Sequence, residues 1–224
     1  ALRYVTAAIG FIVLARLLWD PAIFGPSVGG WIVLNWLLPG YGVPALAFAG
    51  AAWLLRYDRE DVAVRIADGL SVLFAALLVV FEIRHALGGG QILRASSGHV
   101  EQGLLAVTGM GFAYVLARLD DARANPVYHW AARLLVGLSG LVTLGNLGIV
   151  FNPLLWPEPV LGKPILSSLA IGYLMPAVAS ALAMRLLRKS GATGFAHAAG
   201  AMAVLLLFAY VSLEVRHVFQ GSPM

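Results

Sequence analysis

WLLPGYGVPALAFAGAAWLLR, residues 36–56, is apolar enough to cross a bilayer, yet it carries Pro39, Gly40, Gly42 and Pro44 inside the run. SLAIGYLMPAVASALAMRLLR, residues 168–188, says nearly the same thing 132 positions later. At that offset Leu34, Leu37, Gly40, Tyr41, Pro44, Ala45, Leu54, Leu55 and Arg56 match Leu166, Leu169, Gly172, Tyr173, Pro176, Ala177, Leu186, Leu187 and Arg188. The register runs on without a gap. Glu82, Arg84 and His85 of FEIRHALGG match Glu214, Arg216 and His217 of LEVRHVFQG. Any two apolar helices share Leu and Ala. An ungapped Gly-Tyr-x-x-Pro-Ala followed by Glu-x-Arg-His is much harder to reach by chance, and it predicts a tandem duplication.

Composition sets the solvent. Of the 224 residues 60% are hydrophobic and 12% charged, and the mean hydropathy is +0.85, outside the range of soluble domains. The apolar runs are continuous rather than alternating, which predicts membrane helices and argues against a transmembrane β-barrel. The fold class expected is therefore all-α, a polytopic transmembrane helical bundle. Seven spans are expected, at about 2–19, 31–56, 62–85, 100–118, 131–151, 164–188 and 195–218. Short connections rich in Gly, Pro or charge leave no room for a soluble domain, so residues 1–224 read as one membrane domain. Within it, residues 3–90 form repeat 1, 91–130 a linking span and 133–222 repeat 2. The period holds four spans, an even number, so the copies are parallel in a three-plus-one-plus-three plan.

Arg3, Arg56, Arg59, Arg65, Arg118, Arg123, Arg133, Arg185, Arg188 and Lys189 fall on one side of this plan. Arg16, Arg84, Arg94, Lys163 and Arg216 fall on the other. The positive-inside rule then places the N-terminus in the cytoplasm and the C-terminus outside. Basic residues at span ends are anchors, so their excess is no sign of nucleic acid. The chain has no cysteine, which excludes disulfides, thiolate metal sites and a cysteine nucleophile. Leu2 to Leu18 reads as a span, not as a cleavable signal peptide.

Four positions are expected to break or kink helices, Gly40 with Pro44 and Gly172 with Pro176. Proline removes a backbone hydrogen bond and clashes with the preceding turn. Two such kinks near mid-membrane bend helices to fit their neighbours or expose carbonyls to a ligand. The second candidate set lies at the outer span ends: Arg16, Glu82, Arg84, His85, Glu101, Glu214, Arg216 and His217. Glu82 and His85 share a helix face, as do Glu214 and His217, three residues apart. Three readings apply to this set. It forms helix-end ion pairs, Glu82 with Arg16 for example; it binds a small solute, lipid or glycan; or it works as a Glu/His acid–base site. Neither a metal centre nor a cofactor is expected, since Glu-x-x-His spacing alone is weak. Ser139 in GLSG and His197 in AHAAG resemble the Ser and His segments of rhomboid intramembrane proteases. His197 falls on Arg65 in the repeat register, however, and Ser139 reads as a helix-packing residue.

The segments NWLLPGYGVPALAFAGAAWLLR, VVFEIRHALGG, HVEQGLLAVTGMGFAYVLARL and YVSLEVRHVFQG together resemble bacterial multi-spanning membrane proteins catalogued as domain of unknown function 2339. The resemblance covers nearly the whole chain. It implies a bacterial inner-membrane protein, either a short member or the C-terminal portion of a longer one, and carries no activity with it. The second copy departs from the pattern at Ser167, where the first has Asn35. Three functions follow as expectations. They are a non-enzymatic subunit or module of a membrane assembly with protein partners; a transporter or binding protein using kinked spans two and six; and an envelope enzyme with an outward-facing Glu/His site.

Overall fold

The computed structural model of the chain describes residues 2–20, 29–93 and 98–221. Among them are seven α-helices: α1 (Leu2–Ala15), α2 (Val43–Asp58), α3 (Val62–Leu87), α4 (His99–Arg123), α5 (Pro126–Gly145), α6 (Met175–Lys189) and α7 (Thr193–Gln220). Six helical segments are long and apolar enough to cross a membrane. The expected helical membrane fold is therefore found, with a shorter first member. The 14 residues of α1 reach about 21 Å, against about 30 Å of hydrocarbon. A tighter 3-10 turn, Arg16–Trp19, continues it.

Contacts divide the chain into two compact units. One comprises Ala1–Ala95 with Asn125–Ala131, the other Ser96–Ala124 with Ala132–Met224. In the first unit α1 and α2 pack on α3 around Tyr41, Phe48, Phe74 and Phe81. The edge of Tyr41 meets Phe81, with ring centroids 5.0 Å apart. In the second unit α6 and α7 pack together, with α4 against α6, and Leu147, Tyr173, Met202, Leu206 and Leu213 share one core.

The proline positions behave in one way in both units. An α-helical proline would drive its ring into the carbonyl four residues back, which is Gly40 for Pro44 and Gly172 for Pro176. The backbone widens instead. Leu38–Gly42 and Ala170–Leu174 are π-helical, with the Val43 amide donating to the Leu38 carbonyl and the Met175 amide to the Ala170 carbonyl, five residues back. The two π turns, like the starts of α2 and α6, lie 132 residues apart.

Both turns lie at the starts of their helices, Leu38–Gly42 before α2 and Ala170–Leu174 before α6. The reason lies in what precedes them. Residues 31–36 are bends and a turn rather than span, because the Asn35 amide group donates to the carbonyls of Trp31 (3.2 Å) and Ile32 (3.0 Å). That local bonding competes with a helix. In the second unit the residues before the π turn form an antiparallel hairpin, β1 (Gly162–Lys163) and β2 (Leu166–Ser167). Pro164 leads its two-residue turn, and Ile165 follows at φ 74°, the geometry of a type II turn. A β-branched residue is strained there. Two side chains of α7 hold it: Glu214 accepts the Ile165 amide at 3.0 Å, and the Tyr210 hydroxyl donates to the Ile165 carbonyl at 2.7 Å. Of the basic residues assigned to the two sides, Arg94 lies outside the described residues.

At the opposite end of the first unit Arg3 draws three elements together. It bonds the Leu55 carbonyl at the end of α2 (3.0 Å), Asp58 (2.7 Å) and Asp61 (2.6 Å). Asp61 also caps α3, accepting the amides of Ala63 (3.0 Å) and Val64 (3.3 Å). Partial burial pushes the Asp61 pKa up, but the two amides and Arg3 outweigh it, and the net shift is downward. A carboxylate depressed in the folded state stabilises the fold above its unfolded pKa, about 3.9. That contribution is lost as pH falls through the lower folded value. Asp61→Ala is expected to lower the melting temperature in detergent at pH 7. The gap from wild type should close as the pH is taken below 4, read by thermal unfolding across a pH series; a gap that stays constant with pH would remove the ionic part of this account.

Candidate functional site

The two glutamates of the second candidate set, Glu82 and Glu214, meet the segments that lead into the two π turns. In the first unit Asn35 Oδ1 accepts the Leu37 amide at 2.7 Å, one of the free donors at the start of a helix, while its Nδ2 donates to Glu82 Oε2 at 2.9 Å. In the second, Ser167 Oγ accepts the Leu169 amide at 3.1 Å and its hydroxyl donates to Glu214 Oε1. The partners 35, 37 and 82 become 167, 169 and 214 at the offset of 132. Ser167 therefore makes the same pair of bonds as Asn35, which answers the departure noted in the sequence. Either side chain accepts from the backbone and donates to a carboxylate at once.

The remaining candidates take local partners. Arg16 lies 3.5 Å from Asp20, not on Glu82, which corrects the expected Arg16–Glu82 pair. Asp20 is buried and accepts the Tyr41 hydroxyl at 2.9 Å, so it draws the cation one helical turn back on its own segment. Arg84 donates to the Ile92 carbonyl at 2.6 Å. His85 Nε2 lies 2.8 Å from the Gly29 carbonyl, whereas His85 Nδ1 and Glu82 Oε1 are enclosed without a hydrogen-bond partner among the described residues. In the second unit Arg216 bonds the Pro153 carbonyl at 2.9 Å and Gln220 at 2.7 Å. His217 Nδ1 sits 3.6 Å from Glu214, too far for a hydrogen bond. Glu101 is buried in the first turn of α4.

In the two Glu-x-Arg-His segments, Glu82, Arg84 and His85 thus bond residues of the first unit, and Glu214 and Arg216 bond residues of the second. No group of three or more metal-ligating side chains occurs among the described residues. Two polar groups that could have served a mid-membrane path are also engaged: the Tyr41 hydroxyl on Asp20, and the Tyr173 hydroxyl on the Leu147 carbonyl at 2.9 Å. Ser139 packs against Gly109 of α4, and no bond joins it to His197 among the described residues.

The sequence reading missed Asp68. This carboxylate of α3 is 2% exposed, yet it holds the Arg56 guanidinium, the Asn125 amide group at 2.7 Å and the Tyr128 hydroxyl at 3.3 Å. Three donors on one buried carboxylate offset its desolvation. A charged residue inside a span was the available signal, but Asn125 and Tyr128 lie 57 and 60 residues away, beyond any local pattern.

The family model of the predicted membrane proteins DUF2339 matches residues 1–224, the whole chain, and the chain belongs to that family. No curated protein and no solved structure matches it.

Three substitutions test this geometry. Ser167→Ala removes the hydroxyl while leaving Glu214 and the Leu169 amide buried, at an expected cost of about 1–3 kcal/mol. Ser167→Asn, borrowing the residue of the first turn, is expected to melt close to wild type. Equal losses from both would end the equivalence of Asn35 and Ser167. Asp68→Ala leaves the Arg56 cation unpaired beside a buried cluster, and a loss of about 3–5 kcal/mol is expected in urea or thermal unfolding.

Proposed function

We propose that this DUF2339 member is a membrane module made of two tandem copies of one three-helix unit joined by a linking helix. It serves as a subunit or module of a larger membrane assembly and does not work through its Glu-x-Arg-His segments. One observation carries the reading. Glu82 and Glu214 make the same bond to the residue that caps the same π turn, in step at the offset of 132. A role that both copies repeat with different partner side chains is what holding a helix start requires. A single ligand site would not require it twice.

The partition of apolar surface supports the assembly. Only 17% of the spanning window of Pro126–Val150 is buried by the chain itself, and 39% in the best-packed spans. The remaining surface is left for lipid and for partner helices, which pack in membranes through close van der Waals contact. On this reading the membrane is the bacterial inner membrane, with the N-terminus cytoplasmic as the basic residues argue. A transporter of small solutes or lipids is the alternative. It loses ground because the Tyr41 and Tyr173 hydroxyls are already bonded within the fold.

Mild-detergent extraction followed by mass spectrometry of everything that co-purifies tests the proposal, comparing wild type with a Glu82→Gln/Glu214→Gln double variant. Stoichiometric protein partners retained by both forms, with a lower melting temperature in the variant, are expected. A lipid, glycan or solute held by wild type and lost from an equally stable variant would make the carboxylates a binding site instead.

A further inference from the structure

A cleft of about 430 Å³ in the second unit contains a set of groups the duplication does not account for. His99, Glu158 and Ser168 meet in it. Ser168 Oγ lies 3.0 Å from His99 Nε2, and His99 Nδ1 lies 2.9 Å from Glu158 Oε1. The Leu161 amide donates to Ser168 Oγ at 3.1 Å, so the hydroxyl's own hydrogen is free to point at Nε2. That assigns the proton of neutral His99 to Nδ1, facing the carboxylate. The Nδ1–Oε1 contact is off the line of a good hydrogen bond. Glu158 Oε1 is instead well bonded to the His99 backbone amide at 2.8 Å. Looseness of this kind is common where a catalytic set tightens only around substrate.

The surroundings are shaped to admit these three side chains. Gly98 stands at φ 97°, and a Cβ there would run into the Glu158 carboxyl carbon at 2.8 Å. A Cβ on Gly172 would meet His99 Cδ2 at 2.8 Å and the His99 carbonyl oxygen at 3.2 Å. The glycine four residues before the proline therefore has a second role in this unit, seating the His99 ring, which also stacks on Tyr173 with centroids 6.4 Å apart. The register matches Ser168 with Trp36 and Glu158 with Pro26, and His99 comes from the linking helix, so the set belongs to the second unit alone.

We infer that Ser168 is a nucleophile, with His99 its general base and Glu158 the group that orients and stabilises the imidazolium. The cleft then hydrolyses carboxylic esters of apolar acyl chains. This goes beyond the proposed module role and gives it an activity. The order of contacts, hydroxyl to Nε2 and Nδ1 to carboxylate, is that of a Ser-His-acid triad, which is recognised by geometry rather than sequence order. Ser168 Oγ bonds to the ester carbonyl carbon while its proton passes to His99 Nε2. The carbon–alkoxy bond breaks, and the alcohol leaves with that proton. Water then attacks the acyl-serine, His99 takes its proton and returns it to Ser168 Oγ, and the free acid departs. Val100, in the first turn of α4 and on the cleft wall, has an amide with no partner inside the helix, the kind of donor an oxyanion needs. Phe151, Pro159 and Leu161 make the rest of the wall apolar. The cleft also lies at the start of two segments long and apolar enough to span a membrane, His99–Arg123 and Ala170–Lys189, and lipid esters sit near the ends of such spans.

The test is covalent labelling of the whole protein in detergent with an alkyl fluorophosphonate, mapped by tandem mass spectrometry, with hydrolysis of p-nitrophenyl butyrate as a second readout. Labelling of Ser168 is expected in wild type, rising with pH because a general base must be unprotonated to act. It should disappear in Ser168→Ala and fall at least about 100-fold in a His99→Gln form that still melts cooperatively. No adduct on Ser168 in folded wild-type protein would overturn the assignment. So would labelling that His99→Gln leaves unchanged, since a histidine that only ties α4 to the hairpin would not alter it. Should His99→Gln fail to fold, the wild-type pH profile decides alone, and a flat profile rejects the base. Retention of co-purifying partners in Ser168→Ala separates failure here from failure of the module reading.

Discussion

Backbone polar groups that leave the ladder of an apolar helix have no water to turn to, and that constraint organises the whole chain. Pro44 and Pro176 each withdraw a donor and press on the carbonyl four residues earlier. The π turns at Leu38–Gly42 and Ala170–Leu174 absorb the clash by bonding five residues back. That displaces the helix start, and the amides of Leu37 and Leu169 must then be satisfied from outside. Asn35 and Ser167 do so, and Glu82 and Glu214 in turn fix those side chains. A proline, a wide turn, a cap and a carboxylate form one chain of necessity. None of the four is intelligible without the proline.

The same frame is filled differently in the two units. In the first, the wide turn buries Tyr41 against Asp20, with Arg16 alongside. A Cβ on Gly40 would meet nothing closer than the Arg16 guanidinium at 3.7 Å, so there the glycine serves the backbone rather than a neighbour. In the second, Tyr173 bonds a backbone carbonyl, and Gly172 lies against His99 and Gly103 of α4. A Cβ on Gly103 would meet the Gly172 Cα at 2.6 Å, so the two backbones cross with only glycine between them. What α4 adds to the second unit is therefore a close crossing, and with it His99.

These differences mark what the sequence could and could not convey. The membrane class, the helix count and the special standing of Gly40, Pro44, Gly172, Pro176, Glu82 and Glu214 were legible because they rest on composition and on one register. The pairing of Asn35 with Ser167 was hidden because it conserves a hydrogen-bonding capacity and not a residue type. Span starts were misplaced for a related reason. Residues 31–36 and 164–167 open two of the expected spans, but an Asn side chain and a Pro-Ile turn bond the backbone first. Asp68 with Asn125, and His99 with Glu158 and Ser168, join residues 57 to 69 positions apart. Only tertiary structure brings such groups together.

The position of Ser168 beside Ser167 links the structural chain to the proposed chemistry. A nucleophile gains from being held within about half an ångström of its working geometry by groups that are themselves locked. Ser167 is buried, bonded to Glu214 and to the Leu169 amide, and it precedes Ser168 directly. The Ser168 amide donates to the Leu161 carbonyl at 2.7 Å and its Oγ accepts the Leu161 amide, so the opposite strand fixes it from the other side. Ile165, strained at φ 74°, is kept in place by Tyr210 and Glu214. Strain of this kind persists only where the surroundings over-determine it, and it gathers where geometry matters to function. Glu214 is common to the restraints on Ser167 and Ile165. In the first unit its counterpart holds a helix start; in the second the same carboxylate also steadies the strand that leads into Ser168.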